Sequence, residues 1–201
     1  TNSFTSSFTL LIKNFEFSSM DDDSLSKPIE PESITRFGNL PKLIKSYSLD
    51  IECLYIAETI KKMQMKNISL GNICIIGMSK SLRDKMTRIL DKENIKWEET
   101  KTCSDHGNEK VKISTVESAK GLEFSVVFVF GLAVPEIQNQ SNEDLSLAAS
   151  RLYVAMTRAC DELYLSYSIG NRYIPSILLS YIEDYCEQQE LRKDVNGYKI
   201  V

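Results

Sequence analysis

Two short segments of this 201-residue sequence combine residue types suited to handling phosphates. The first is Ser114-Thr115-Val116-Glu117-Ser118-Ala119-Lys120-Gly121-Leu122-Glu123-Phe124, between two apolar runs. A strand end opening into hydroxyls, a lysine and a glycine stands where open α/β sheets take ligands, at the carboxyl ends of their strands. Composition alone favours a plainer reading, a polar connection with a glycine turn. The second segment is Arg151-Leu152-Tyr153-Val154-Ala155-Met156-Thr157-Arg158-Ala159. On a helix, Leu145, Leu152 and Ala159 recur at a seven-residue spacing and face the core. Arg151 and Arg158 share that spacing, so they lie on another common side, offset by about 20°. Their Cα atoms would stand about 10 Å apart along the axis. Paired guanidiniums suit a phosphate chain, because each offers a rigid bidentate fork. The plainer alternative is that Arg158 complements the negative helix end while Arg151 solvates a face. The helix by itself does not choose between them.

In this order the two segments resemble motifs V and VI of UvrD/Rep-type superfamily 1 helicases. Thr115-Val116 through Leu122-Glu123-Phe124, followed by Val126-Val127, is similar to motif V. Arg151-Leu-Tyr-Val-Ala-Met-Thr-Arg158-Ala159, followed by Leu163, is similar to motif VI. The resemblance implies an α/β fold of the RecA-like, P-loop NTPase type: a mostly parallel sheet with helices on both faces. It implies that Arg158 reaches the γ-phosphate of ATP, where a permanent cation meets charge spreading over phosphoryl oxygens. Glu123 matches the carboxylate that binds the nucleotide ribose, and Gly121 would let the backbone approach. Arg151 is implied as a supporting member of the nucleotide set. Thr115, with Lys120 in the same turn, is implied to contact the backbone of single-stranded DNA or RNA, which positions without reading sequence.

Two positions depart from the family pattern. Glu117 stands where motif V often carries His, and a carboxylate there repels a phosphate backbone. Asn14-Phe15-Glu16-Phe17-Ser18 is the nearest match to an Asn-Tyr-Arg-Ser segment, with Glu16 in place of the arginine. No G-x-x-x-x-G-K-[ST] phosphate loop occurs, and Gly71 to Lys80 only imitates one, with Met78 where Lys belongs. ATP with Mg²⁺ is therefore expected to be held mainly by an N-terminal RecA-like domain of the same polypeptide, and this chain alone should not hydrolyse it. The opening Thr1-Asn2-Ser3, without Met, suggests a fragment of a longer protein. Residues 101–110 are too short for a large accessory domain. Together with Arg36 to Pro41 and Ile75 to Lys80, that compactness is similar to motors that recycle RNA polymerase, making RNA polymerase an expected partner. A rival expectation is a degenerate motor kept as a protein-binding module.

The remaining sequence supplies elements to position these segments. Residues 1–40 read as a strand at 8–12 and an irregular acidic stretch leading into a domain at 41–190, with a tail at 191–201. Strands are expected at 43–47, 72–77, 111–116, 125–130 and 163–167. Helices are expected from an Asp50 cap with Glu52 in the first turn, over 80–93 behind a Ser79 cap, over 142–159 and over 175–189. Cys53, Ile56, Ile60 and Met63 mark a helical apolar stripe, and Ile73-Cys74-Ile75-Ile76 a strand buried on both faces. Net charge is −4 and pI near 5.2, the wrong sign for a free-standing nucleic-acid binder, so any such contact must be local. Five scattered cysteines, the lack of a signal peptide and the lack of a membrane-length apolar run point to a cytoplasmic protein without membrane contact. Cys103 and His106 have no second pair to complete a metal site, so none is expected.

Overall fold

The computed structural model describes residues 39–100, 109–136, 141–170, 173–194 and 197–201. Its centre is β2 (Ile73–Gly77), buried at every position, as an unbroken apolar run demands of a strand covered on both faces. Parallel to it on either side lie β4 (Val111–Ser114) and β5 (Phe124–Phe130). Beyond β4 comes β3 (Trp97–Glu99). Beyond β5 come β7 (Ala159–Ser168), β1 (Lys42–Ser46), β9 (Glu187–Asp194) and β10 (Gly197–Ile200). Only the β9–β10 pairing in this eight-stranded sheet is antiparallel. A separate two-stranded ribbon pairs β6 (Ala133–Pro135) with β8 (Tyr173–Pro175).

Helices α1 (Leu49–Met65) and α2 (Lys80–Lys92) pack on one face, where Ile56, Ile60, Met86 and Leu90 meet Ile73, Ile75 and Phe128. Helix α3 (Asn142–Met156) packs on the other, where Leu152 and Ala155 meet Cys74, Ile76 and Val127. Alternate side chains of β2 thus feed two cores, and the α/β fold is the expected one. The stripe Cys53, Ile56, Ile60 and Met63 is buried throughout. Ser79 caps α2 as expected, accepting from Leu82 N–H at 3.3 Å. A capping box between Ser141 and Asp144 fixes the start of α3. Among the described residues no helix is long and apolar enough to cross a membrane.

Four expectations are corrected. Ser48, not Asp50, caps α1, accepting from Ile51 N–H at 3.3 Å; Asp50 instead pairs with Lys85 at 2.9 Å. Helix α3 stops at Met156 rather than 159, because Arg158 C=O is drawn into the sheet by Phe124 N–H at 2.9 Å. No α-helix occupies 175–189: two 3₁₀ turns, Ile177–Tyr181 and Glu183–Tyr185, precede β9. From Glu187 on, pairing with β1 outweighs helix propensity, a tertiary override of a local signal. Residues 191–201 belong largely to the β9–β10 hairpin rather than to a tail. The strand expected at 8–12, Glu16, Cys103 and His106 lie outside the described residues.

One buried charge organises the carboxyl end of the sheet. Glu52, in the first turn of α1, is fully buried. Its Oε1 accepts from Gly131 N–H at 2.9 Å and from Ser166 Oγ at 2.7 Å, joining α1 to the ends of β5 and β7. Gly131 needs its achiral backbone twice over: φ is +75°, and a Cβ would fall 2.3 Å from Leu82 Cδ1. Burial pushes the Glu52 carboxyl up, while donors from Gly131, Ser166 and Ser168 pull it partly back. A raised folded-state value means the group's contribution is complete at low pH and lost as pH rises through that value. Melting temperature should therefore fall with rising pH above the ordinary carboxylate range in the wild type, and fall less in Glu52→Gln. Glu52→Ala, which strands two buried donors, should cost about 2–5 kcal/mol in urea denaturation. Parallel pH profiles for wild type and Glu52→Gln would refute this account.

Candidate functional site

Strands β4 and β5 both run parallel to β2, with Ser114 level with Ile76 and Ile76 level with Val129. The chain leaving Ser114 must therefore travel back down the sheet before β5 can start at Phe124. Residues 115–123 make that return alongside α3, burying Val116 and Ala119 in the core that holds Leu152, Ala155 and Met156. The path is a series of tight turns. Ala119 N–H donates to Thr115 C=O and Leu122 N–H to Ala119 C=O, both at 3.1 Å. Ser118 N–H donates to Thr115 Oγ1 at 3.0 Å, and that hydroxyl donates on to Ser118 Oγ at 3.0 Å. Gly121 turns the chain with φ +77°.

This route separates the candidate residues into two groups. Thr115 stands at the carboxyl end of β4, the expected edge. Gly121, Glu123 and Arg158 stand at the amino ends of β5 and β7, where Phe124 pairs with Ala159. The expectation that the first segment stands as a whole at the carboxyl edge is thus corrected, and the reason is the return path itself.

Arg158 follows the helix rather than riding on it, since Thr157 is the C-cap. Its guanidinium does not point outward. Nε donates to Val154 C=O at 3.0 Å, Nη1 to Leu122 C=O at 3.2 Å and Nη2 to Thr157 Oγ1 at 3.1 Å. The side chain thereby caps the last turn of α3, as a cation at a helix C-terminus should, and pins the return path to it. The edge beside it stays open. Gly121 and Glu123 are exposed, and nothing lies within 4 Å of where a Gly121 side chain would begin. Cys160 Sγ sits 3.8 Å from Glu123 Oε2.

Arg151 joins the other group. Its Nε lies 3.1 Å from Glu117 Oε1, an ion pair whose geometry is too poor for an aligned hydrogen bond, leaving that nitrogen without one. Lys120 is exposed on the same turn. The Glu117 carboxyl is held below the usual range, first by its own backbone N–H; partial burial opposes this, and Arg151, the Thr115 hydroxyl and Lys120 each lower it further. The spacing argument for paired arginines therefore fails: Arg151 is on the helix, Arg158 is past its end, and they serve different neighbours.

Residues 78–170, which include both segments, match the family model of the UvrD-like helicase C-terminal domain. That stretch is a UvrD-like helicase C-terminal domain. The RecBCD enzyme subunit RecB of Chlamydia trachomatis is 31% identical over 141 residues, covering 68% of this chain and 11% of that protein. The ATP-dependent DNA helicase Rep of Buchnera aphidicola is 39% identical over 61 residues, covering 29% of this chain and 9% of that protein. The chain thus spans about a tenth of the length of these relatives. In fold it is similar to the C-terminal domain of a possible DNA helicase from Lactobacillus plantarum, with TM-score 0.57 and 20% identity over 75% of this chain and 86% of that one.

Within the UvrD-like domain, sequence reasoning singled out Thr115, Lys120, Gly121, Glu123, Arg151 and Arg158 as candidates but missed how they are tied together. The Arg158–Leu122 bond links positions 36 residues apart, and no local pattern announces it. Two stability measurements check this geometry. Gly121→Ala should cost about 1–2 kcal/mol from left-handed strain alone, since no atom obstructs the added methyl. Arg158→Ala should cost about 1–3 kcal/mol by releasing three hydrogen bonds of a half-buried cation. A loss under about 0.5 kcal/mol for Arg158→Ala would mean that the tether does not hold in solution.

Proposed function

We propose that this chain supplies the second motor domain of an ATP-dependent DNA helicase or translocase. The observation that carries the reading is the meeting of Arg158 with the Gly121–Glu123 turn at an open edge, where Nη1 reaches Leu122 C=O. An external nucleotide, held mainly by an N-terminal RecA-like domain with Mg²⁺, fits that edge on three counts. Gly121 leaves clear space, Glu123 is an exposed acceptor for ribose hydroxyls, and Arg158 is a permanent cation one turn away. ATP supplies a transferable phosphoryl group. Arg158 would exchange its carbonyl acceptors for phosphoryl oxygens as the two domains close, a trade of neutral partners for charged ones that favours closure. Thr115, Lys120 and Arg151 would form part of the wall along which a single DNA strand runs, holding its backbone without reading bases. The DNA substrate follows the relatives, since Rep is by name an ATP-dependent DNA helicase.

In the complete polypeptide, Arg158→Ala should lower ATP turnover by about 10³ or more, the scale of arginine-finger losses. A drop under about tenfold would remove Arg158 from that role. Glu123→Ala should raise the nucleotide KM more than it lowers kcat, because a ribose contact is alike in ground and transition states. An unchanged KM would count against the contact.

One observation favours a second reading, a degenerate motor retained as a protein-binding module. Every nitrogen of Arg158 is already engaged within its own domain. Near-zero ATPase rates, equal in wild type and Arg158→Ala, would decide for it.

A further inference from the structure

We propose that the Glu117 carboxylate is an internal substitute for a phosphate, filling an anion site made by Thr115, Lys120 and Arg151, and that a nucleic-acid phosphodiester must displace it. The inference rests on the reading above that this face takes a single strand.

Three observations support it. Glu117 is well exposed, with 59% of its side chain open, yet its carboxyl is held below the usual range. The groups responsible are its own backbone N–H, Arg151, the Thr115 hydroxyl and Lys120, all of them donors or cations. An N–H, a guanidinium and an ammonium suit a phosphodiester, and the Thr115 hydroxyl, which donates to Ser118 Oγ, can join them by rotating its proton. Second, the only partner of Arg151 among the described residues is Glu117, and that contact is poorly aligned. A guanidinium has five N–H donors in a fork built for tetrahedral or planar oxyanions, so most of its capacity is unspent. Third, a partly exposed ion pair of this kind is weak and screened by salt, so an incoming phosphodiester making charge-assisted bonds can compete with it.

The physical consequence is a threshold. With Glu117 in place the turn is close to neutral, and free phosphates or short contacts gain little. A strand already held elsewhere in the motor can push the carboxylate aside and take up the released donors.

The test measures binding of a fluorescein-labelled oligothymidylate to the full-length protein by anisotropy across a salt series. Glu117→Gln should bind about three- to tenfold tighter than wild type at low salt. Its plot of log Kd against log salt should be steeper by about 0.7, the single-strand value for one more phosphate contact. Glu117→Gln combined with Arg151→Gln should return to within about twofold of wild type, because cation and anion are removed together. Asp84→Asn, on the exposed side of α2 across the sheet, controls for a general change of charge. The masking role is overturned if Glu117→Gln binds no tighter than wild type, or if Asp84→Asn produces the same gain. A gain of affinity cannot arise from failed folding, so the single variant suffices to decide. Absence of binding by wild type and every variant would instead overturn the nucleic-acid reading, and this inference with it.

Discussion

Parallel strands begin at the same edge, so the chain must cross the sheet between every neighbouring pair. In this domain the crossing between β4 and β5 is not a helix but the turn-rich path 115–123, and the candidate residues Thr115, Lys120, Gly121 and Glu123 sit on it. Val116 and Ala119 anchor that path in the core shared with Leu152 and Ala155, which sets its distance from α3. Arg158 then fastens its lower end through Leu122 C=O, and Glu117 meets Arg151 higher up. The residues of two separate motifs come together because one returning segment lies against one helix. Loosening that packing would shift both groups at once.

Where the signal was local, the sequence was legible. The apolar run of β2, the stripe of α1 and the serine cap of α2 all stand where periodicity and capping rules put them. The family motifs were legible for the same reason, being short and contiguous. What escaped depended on distant partners. Strand β9 is polar, with Leu191 as its one buried residue, and is a strand because β1 offers it a parallel edge. Residues 175–189 carry apolar spacings that imitate a helix, but Leu178, Leu179 and Ile182 are buried from 3₁₀ turns. Glu52 looked like an ordinary first-turn acid; its donors lie 79 and 114 residues away. Arg158 was placed on a helix that ends two residues earlier, and its position against Leu122 follows from the sheet, not from heptad spacing.

The charge balance takes on meaning at this site. A chain of net charge −4 that is to meet polyanions must do so through a local grouping of its cations. Both arginines of the motif VI segment are already occupied, one by carbonyl oxygens and a hydroxyl, the other by a carboxylate. Neither is idle and neither is committed to a strong partner. Each rests in a contact that a more highly charged ligand can outcompete, so under the proposed function the same residues would support the fold when empty and recognise phosphates when engaged.

The carboxylate beneath the β5–β6 turn has a reach beyond pH. Gly131 lies in a connecting segment, where amides ordinarily trade hydrogen with solvent quickly. Its acceptor, however, is carried by α1 and is sealed from water. That amide can open only when the helix lifts from the sheet, so its exchange would report the detachment of α1 and not the fluctuation of a loop. The helix and the upper rim of the strands would thus come apart as one cooperative unit, tied through Glu52 to Gly131 and Ser166.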